Sequence, residues 1–345
     1  MNEPLFHRYD VWRPTEKYTN HRIPGIIVTS KGTVLIYCEA RRSLSDWAMM
    51  DIILQRSEDR GKTFSDPNEL AQGSEEHNTV NNPVMLEDRN GRIHFLYCED
   101  YSVCGGRILT RYSDDDGITW SAPIDISDFS MPFYHNVFAF GPGHGITSKD
   151  GTLIVPVWMV PKYYEAPVRS HFPSVLSTFY SKDNGETWAI GEILKTRSDV
   201  INPNETVAAL TSDGNVYLNI RNAGFNRARA YSANGYSGWT QFMPDYNLPD
   251  PICFGSVASY SDGEKPYSLI FVNCDSKTER KNVTVRISTD DGHTYPVSRV
   301  IDKDRGGYSD VAVDNERKLI YVLYEDKGGT TDHLAVFNYE WVTEN

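Results

Sequence analysis

The sequence predicts an all-β fold, a six-bladed β-propeller whose blades are four-stranded antiparallel sheets. Three observations predict it: one short motif returns along the chain, strand–turn–strand hairpins fill the intervals between its copies, and no helical periodicity interrupts them. The composition agrees, because aromatic residues make up 12% of the chain, which also has 21 tyrosines, 25 glycines and 18 prolines. Such a mixture suits many short strands joined by tight turns.

The recurring motif reads Ser-x-Asp-x-Gly-x-Thr-aromatic. Four copies and one degenerate copy are present, at 57–64 (SEDRGKTF), 113–120 (SDDDGITW), 181–188 (SKDNGETW), 288–295 (STDDGHTY) and, degenerate, 232–239 (SANGYSGW). The spacing of these Asp boxes divides 345 residues into about six units, within the size range of propeller blades. The Asp side chain can accept backbone N–H groups while Gly takes a positive φ to close a turn. The boxes are therefore expected to serve folding rather than catalysis.

Hairpins of two strands and a polar turn form the second repeated element. Five can be read from the sequence: GIIVTSKGTVLIYC, VMLEDRNGRIHFLYC, GITSKDGTLIVPVW, VAALTSDGNVYLNI and VAVDNERKLIYVLY. The predicted unit is strand 1, turn, strand 2, loop, strand 3, Asp box and strand 4. Since no linker or low-complexity segment separates the units, residues 1–345 are expected to form one domain.

The net charge of −13 argues against a nucleic-acid partner, because phosphate contacts need clustered Lys and Arg. An anionic ligand would need a local arginine cluster that works against the overall field. No apolar run reaches the roughly 20 residues that span a bilayer. The first ten residues lack a signal pattern, so a cytosolic protein or a mature secreted or periplasmic form is expected.

The five cysteines are odd in number and show no C-x-x-C spacing, which predicts neither a disulfide framework nor a zinc site. Cys38 and Cys98 end apolar runs and are expected to be buried, reduced thiols. No cofactor or metal is expected.

The hairpins predict where reactive side chains meet. In an antiparallel hairpin the start of the first strand lies beside the end of the second, and the loop between strands 2 and 3 opens at the same end. Eight side chains fall at these positions and are expected to line one mouth of the ring: Arg22, Arg41, Asp46, Glu205, Arg221, Arg280, Tyr308 and Glu325. An ion-pair network is one interpretation of this set. Arginines from separate blades suit a single anionic ligand better, because a guanidinium binds a carboxylate as a fork.

On these residues, the Asp boxes and the sequence Arg22-Ile23-Pro24, the chain resembles the exo-sialidase (neuraminidase) family of Asp-box six-bladed β-propellers, of the bacterial type. The resemblance extends from about Arg22 to Glu325, nearly the whole chain. It implies a glycoside hydrolase in which Arg22, Arg221 and Arg280 bind the carboxylate of a sialic acid.

The resemblance also implies roles for the other residues of the mouth. Tyr308 would be the nucleophile and Glu205 its general base, and sialidases are a known exception in using tyrosine instead of a carboxylate. Asp46 would be the acid/base residue, Arg41 beside it would contact the sugar, and Glu325 would orient Arg22. The implied activity is a retaining exo-α-sialidase acting on sialylated glycans.

The identity of the sugar stays open at this point. The stretch Asp46-Trp-Ala-Met-Met departs from the Gly/Asp-rich segment of many bacterial sialidases. A related ulosonic acid, either the deaminated sialic acid or a shorter keto-deoxy sugar acid, is an alternative substrate, and a non-catalytic glycan-binding propeller is an alternative of another class. Trp47, Met49 and Met50 are expected either to wall the pocket or to pack in the core, and His144 is a candidate contact at the rim.

Overall fold

The computed structural model describes residues 3–76, 79–100, 106–130, 135–161, 171–326 and 328–344. Six small antiparallel sheets of four or five strands are arranged in a ring, which confirms the predicted six-bladed β-propeller. In each blade the four main strands follow one another outward in chain order, except that the outermost strand of blade 6 is the N-terminal strand.

The first three blades contain most of the strands before residue 200. Blade 1 consists of β2 (Asn20–Val28), β3 (Val34–Arg41), β4 (Met50–Ser57) and β5 (Asn68–Gln72). Blade 2 consists of β6 (Val80–Glu87), β7 (Ile93–Glu99), β8 (Arg107–Ser113) and β9 (Ile124–Asp125), with β11 (Gly143–His144) pairing parallel to β6. Blade 3 consists of β10 (His135–Phe140), β12 (Ile146–Thr147), β13 (Leu153–Pro161), β14 (Val175–Ser181) and β15 (Ala189–Ile190).

The last three blades complete the ring. Blade 4 consists of β16 (Thr206–Leu210), β17 (Val216–Ile220), β18 (Asn226–Ser232) and β19 (Met243–Pro249). Blade 5 consists of β20 (Ser256–Tyr260), β21 (Ser268–Cys274), β22 (Val283–Ser288) and β23 (Val297–Asp302). Blade 6 consists of β24 (Ser309–Asp314), β25 (Leu319–Glu325), β26 (Asp332–Phe337) and β1 (Phe6–Trp12). A 3₁₀ helix (Ser127–Ser130) and a short helix α1 (Tyr339–Thr343) accompany the strands.

The ring is closed by the N-terminal strand. β1 pairs antiparallel with β26, so the outermost strand of blade 6 comes from the other end of the chain. Blade 3 differs from the simple repeat as well. The predicted GITS strand contributes only the two residues of β12, and the innermost strand is β10, which pairs with β13 along most of its length. The predicted hairpin exists, but it is not the main inner pair of that blade.

The Asp boxes form the turns predicted for them. In the first, Asp59 accepts hydrogen bonds from the Thr63 amide (2.9 Å) and hydroxyl (2.7 Å), and the Gly61 amide donates to Ser57 Oγ (2.8 Å). Gly61 has φ 79°, in the left-handed region that favours glycine. In the degenerate copy Asn234 replaces the Asp and still accepts two amides. Every box follows the third main strand of its blade, which places the boxes on one face of the ring.

Apolar side chains of facing sheets form the core between blades. One cluster joins Leu96 of blade 2, Phe140 of blade 3 and Leu218 of blade 4. The described cysteines are free and buried, Cys38 and Cys98 among them. This agrees with the prediction of reduced thiols.

A group of hydrogen-bonded polar side chains lies at the centre of the ring. His144 does not lie at the rim of the mouth, where the sequence made it a candidate contact. It is buried on β11, and its Nδ1 lies 2.8 Å from Asp310 Oδ1. Asp310 also accepts hydrogen bonds from the Ile26 amide (2.9 Å) and the Ser256 hydroxyl (2.6 Å). One carboxylate therefore ties the inner strands of blades 1, 5 and 6 to the segment that carries His144.

Candidate active site

Three arginines from different blades converge on one tyrosine. The guanidinium carbons of Arg22, Arg221 and Arg280 lie 5.3, 5.7 and 5.2 Å from the centroid of the Tyr308 ring. Arg22 is part of β2, Arg221 directly follows β17, and Arg280 lies in the loop between β21 and β22. The mouth opposite the Asp boxes thus concentrates three positive charges in a protein whose net charge is −13.

One N–H group of Arg221 is not used in a hydrogen bond within the described residues. Its Nη1 donates to the Tyr308 hydroxyl at 2.6 Å and pairs with Glu205. Its buried Nε has no hydrogen-bond partner among the described residues. A buried N–H without a partner is costly, so a bound anion at this place would satisfy it.

Tyr308 and Glu205 form a direct pair. The Tyr308 hydroxyl donates to Glu205 Oε1 at 2.6 Å. The two residues are only 6% and 8% exposed. Burial raises the pKa of Tyr308 well above its usual range, and the charge of Arg221 offsets this only in part. Tyr308 is therefore a neutral phenol at neutral pH, with a carboxylate placed to accept its proton.

Glu325 holds two parts of the site together. Its Oε1 accepts hydrogen bonds from Arg22 Nε and from the Ile23 amide, both at 2.8 Å, and its Oε2 accepts from the Tyr308 amide at 3.1 Å. Ile23 has φ 57°, at the bulge that follows Arg22 in β2. A β-branched residue with positive φ is strained, and such outliers concentrate at functional sites. The bulge within Arg22-Ile23-Pro24 accordingly aims the arginine at the mouth.

Asp46 lies across the mouth, in the loop between β3 and β4. Its side chain is 48% exposed, and its Oδ1 lies 2.6 Å from Arg41 Nη1. Burial alone would raise the pKa of Asp46, but the charges of Arg41 and Arg22 outweigh it and lower the pKa. Asp46 is therefore a solvent-accessible carboxylate under strong positive influence.

Glu39 is a site residue that the sequence reasoning missed. It is buried on β3, and its Oε2 accepts from Arg41 Nε at 2.9 Å while its Oε1 accepts from the Asn82 amide at 2.7 Å. This clamp fixes Arg41 for its contact with Asp46. The signal was the spacing of Glu39 and Arg41, because residues two apart on a strand point to the same side of the sheet.

Aromatic residues form the wall of the mouth on the side of blade 3. The ring centroid of His171 lies 6.2 Å from that of Trp47 and 5.3 Å from that of Trp158. His171 interacts electrostatically with Glu205 and Asp46, while burial lowers its pKa. The residues after Asp46 were expected either to wall the pocket or to pack in the core. Met50 packs in the core, whereas Trp47 contacts His171 and also packs against a core cluster. His171 itself was not predicted, since nothing local in the sequence marks it.

All eight predicted residues are thus brought to one mouth in contacting groups. Within the described ranges, no group of three or more His, Cys, Asp or Glu is arranged to hold a metal ion. Nor does any helix of those ranges have the length and apolar character needed to cross a bilayer.

The fold and the site define the class of this protein as a six-bladed β-propeller with an arginine cluster around a tyrosine–carboxylate pair. The chain belongs to the BNR repeat-like domain family, whose model matches residues 70–321. An exo-alpha-sialidase of Arthroderma benhamiae is 28% identical, over 94% of this chain and 85% of that protein. A sialidase of Micromonospora viridifaciens is 29% identical over 99% of this chain, which spans 55% of that protein's length.

Two solved structures have a fold similar to that of this chain. The Hadza microbial sialidase Hz136 superposes with a TM-score of 0.81 at 26% identity, over 93% of this chain and 66% of that one. The intramolecular trans-sialidase of Ruminococcus gnavus, in complex with oseltamivir carboxylate, has a TM-score of 0.79 at 17% identity, over 95% and 96% of the two chains, and shows the fold alone. The predicted resemblance to the sialidases is confirmed.

Proposed function

We propose that this chain is a retaining exo-α-sialidase that hydrolyses terminal sialic acids of glycoconjugates through a covalent tyrosyl intermediate, with residues 1–345 acting as one catalytic domain. The observation that carries the proposal is the 2.6 Å hydrogen bond between Tyr308 and Glu205 beside three arginines. The curated relatives, named exo-alpha-sialidase and sialidase, support a glycoside hydrolase of this kind.

In the first step the sugar carboxylate lies against Arg22, Arg221 and Arg280. The Tyr308 oxygen forms a bond to the anomeric carbon C2 while its proton passes to Glu205. The bond from C2 to the glycosidic oxygen breaks, and Asp46 donates its proton to that oxygen. The products of the step are an aryl ketoside, in which the phenolic oxygen of Tyr308 is bonded to C2, and a neutral leaving alcohol.

In the second step Asp46 acts as a base. It takes a proton from water, whose oxygen bonds to C2 as the bond from C2 to Tyr308 breaks, and Glu205 returns its proton to the phenolate. Each step inverts the configuration at C2, so the two together retain it. All three residues end in their starting protonation states.

The chemistry explains why the nucleophile is a phenol. Sialic acid carries its carboxylate on the carbon that is attacked, and an anionic Asp or Glu would be repelled by it. The raised pKa of Tyr308 keeps the phenol neutral until Glu205 accepts its proton, so attack and deprotonation occur together. Negative charge on the nucleophile develops only as positive charge develops on the sugar.

The aromatic wall bears on which sugar is bound. A sugar held by its carboxylate at Arg22 and Arg280 would direct its far side toward Trp47 and His171, behind which Trp158 is buried. Indole rings suit the methyl of an N-acyl group, and a histidine can hydrogen-bond its polar atoms. This favours an N-acylated sialic acid over the deaminated sugar or a shorter keto-deoxy acid.

Initial rates on sialyl and deaminosialyl aryl glycosides test the proposal, with NMR spectra taken early in the reaction. We expect faster turnover of the sialyl compound and release of the α-anomer first. Faster turnover of the deaminosialyl compound would instead assign the related ulosonic acid. Binding of both compounds without turnover of either would identify a glycan-binding propeller and contradict an enzyme.

A further inference from the structure

Two buried cysteines of blade 5 lie beneath the mouth. Cys274 is the last residue of β21, and Cys253 lies three residues before β20, which pairs antiparallel with β21. A Cβ on Gly255 would come within 2.7 Å of the Cβ of Asn273, so the two segments stay side by side beyond the end of β20. Both thiols are fully buried, in the core cluster that also contains Tyr308.

The two thiols interact with each other while both are free. A hydrogen bond between them, together with burial, raises the pKa of Cys274 well above its usual range. Neighbouring antiparallel segments bring Cα atoms within the roughly 4.4 to 6.8 Å that a disulfide spans. Cys253 and Cys274 are therefore a dithiol that a small backbone movement can close into a disulfide.

The surroundings of Cys253 are electropositive. Arg280 and Arg221 both interact electrostatically with it, and for Arg280 this interaction is the largest cause of a raised pKa. Cysteines that react with oxidants lie in such surroundings, because the thiolate is the reactive form. Cys253 is accordingly placed as the first sulfur to react, and Cys274, whose thiol stays protonated, as its partner.

A cavity of the mouth comes close to the pair. It has a volume of about 400 Å³, and Arg280, Gly306 and Gly307 are among its lining residues. A Cβ on Gly306 would come within 2.9 Å of the Cys274 sulfur, which lies 3.4 Å from the carbonyl oxygen of Gly307. Glycine backbone thus separates the cavity from the thiols, and an oxidant as small as hydrogen peroxide needs only a local opening to cross it.

The same two segments hold residues of the candidate active site. Arg280 Nη2 donates to the carbonyl of Ile252, the neighbour of Cys253, at 3.4 Å. Gly307, which contacts Cys274, directly precedes Tyr308. A disulfide has a sulfur–sulfur distance of about 2.0 Å, shorter than any contact between separate thiols. Closing it would pull on both segments, and a displacement of about 1 Å can cost on the order of 10²-fold in rate.

We propose that Cys253 and Cys274 are a redox-modification site: a peroxide that enters through the mouth converts them into a disulfide, which displaces Arg280 and Tyr308 and lowers turnover reversibly. The Cys253 sulfur bonds to one oxygen of hydrogen peroxide as the O–O bond breaks, which gives a sulfenic acid and water. The Cys274 sulfur then bonds to the Cys253 sulfur as the S–O bond breaks, and a second water leaves. The two sulfurs lose two electrons and the peroxide gains two.

Peptide mapping after peroxide treatment is the first test. With remaining thiols alkylated before digestion, mass spectrometry should find a peptide pair linked through Cys253 and Cys274, and dithiothreitol should remove the link. Turnover of a sialyl aryl glycoside should fall by about tenfold or more and recover with dithiothreitol. Recoverable loss of turnover without this link, or the link without loss of turnover, would overturn the proposal.

The proposal rests on the proposed function only through the turnover measurement. Mapping of the link requires no activity, so a protein that never hydrolyses the glycoside contradicts the proposed function while the mapping still decides whether the disulfide forms. The two failures are therefore distinguishable.

Single substitutions assign the effect to the pair. Cys274→Ser should lose none of its own initial turnover in a form that dithiothreitol restores. Cys98→Ser is the matched control, because the Cys98 thiol is also buried and lies 3.6 Å from a backbone carbonyl, that of Phe138. It should stay as sensitive as the wild type, as should Cys104→Ser, at a position outside the described residues. Recoverable inactivation of Cys274→Ser, or resistance of either control, would contradict the assignment.

A bound ligand should protect the pair. The dehydrated sialic acid analogue, placed against Arg221 and Arg280, would cover the path from the mouth. At about ten times its Kd, the rate of link formation should fall about tenfold, in proportion to the free protein. An unchanged rate with the analogue bound would contradict entry of the oxidant through the mouth.

Discussion

The hydroxyl of Tyr308 donates a 2.6 Å hydrogen bond to Oε1 of Glu205, although blade 5 lies between the blades that carry them. Tyr308 directly precedes β24 of blade 6 and Glu205 directly precedes β16 of blade 4. The bond therefore crosses part of the mouth, and Arg221 joins it by contacting both partners. The Tyr308–Glu205 pair forms because blades 4 and 6 are packed on either side of blade 5, so the fold brings together the two groups of the proposed chemistry.

Replacing the proposed nucleophile should separate binding from turnover. Tyr308→Phe removes the attacking oxygen but leaves the three arginines in place, so kcat should fall by about 10³-fold or more with little loss of affinity. Steady-state kinetics give the first quantity, and calorimetry with the dehydrated sialic acid analogue gives the second. Tyr324→Phe, at a buried tyrosine that donates to Asp302, is the control for loss of a hydroxyl. Normal turnover by Tyr308→Phe would show that the nucleophile is another group.

The loss of activity on removing the proposed acid should depend on how much protonation the leaving group needs. Asp46→Ala should lower kcat/KM for sialyllactose by about 10²- to 10⁴-fold, the usual contribution of general acid catalysis. An activated aryl glycoside needs little protonation, so its loss should be much smaller. The comparison of the two losses is the measurement. Equal losses on both substrates would argue against a proton donated by Asp46.

The lowered pKa of Asp46 predicts an acidic pH profile. A general acid works in its protonated form, so kcat/KM for sialyllactose should fall as pH rises through the pKa of Asp46, which Arg41 and Arg22 hold below its usual range. Arg41→Gln removes one of these charges and should move the falling limb to higher pH. Arg8→Gln, which removes an arginine of blade 6 that is paired with Asp302 of blade 5, should leave the limb where it is. A limb that stays in place in Arg41→Gln would contradict this electrostatic coupling.

The buried pair of His144 and Asp310 should make the stability of the fold depend on pH. Asp310 raises the pKa of His144 above 6.5 in spite of burial, which alone would lower it. Since the folded pKa exceeds the unfolded one, the stabilisation is complete below the unfolded pKa and is lost as pH rises through the folded pKa. Asp310→Asn should lower the free energy of unfolding by about 3 kcal/mol, as for other broken buried pairs. The free energy of unfolding, measured with urea at several pH values, should fall less with rising pH in the variant than in the wild type. The same pH dependence in both proteins would contradict the role of His144.

The sequence was informative where structure is local and repetitive. The Asp boxes and hairpins predicted the blades, because turn residues and alternating strands leave a signal within ten residues. Strand β1 was not predicted, since its partner β26 lies at the other end of the chain. The same holds for β10, whose pairing with β13 replaced the more conspicuous GITS segment.

The residues of the candidate site likewise divide into those that the sequence could place and those that it could not. Residues at hairpin ends, such as Arg22 and Glu325, could be placed at one mouth from antiparallel geometry alone. Glu39 was missed although its spacing to Arg41 is a local signal, and its contact with Asn82 of blade 2 forms only in the assembled ring. His171 was missed because no local pattern marks its contact with Trp158. His144 was placed at the rim because its hairpin begins there, but β11 pairs with β6 and turns the side chain toward Asp310.

The most direct test of the account is to trap the covalent intermediate. A 2,3-difluorinated sialic acid should form a long-lived adduct, because fluorine at C3 slows both steps while fluoride, a good leaving group at C2, keeps the first step fast enough for the adduct to accumulate. Peptide mapping by mass spectrometry should place the added sugar on Tyr308, and Tyr308→Phe should remain unlabelled. Label on Glu205 or on any other residue, or turnover of the reagent without an adduct while Tyr308→Phe keeps its activity, would contradict the proposed mechanism.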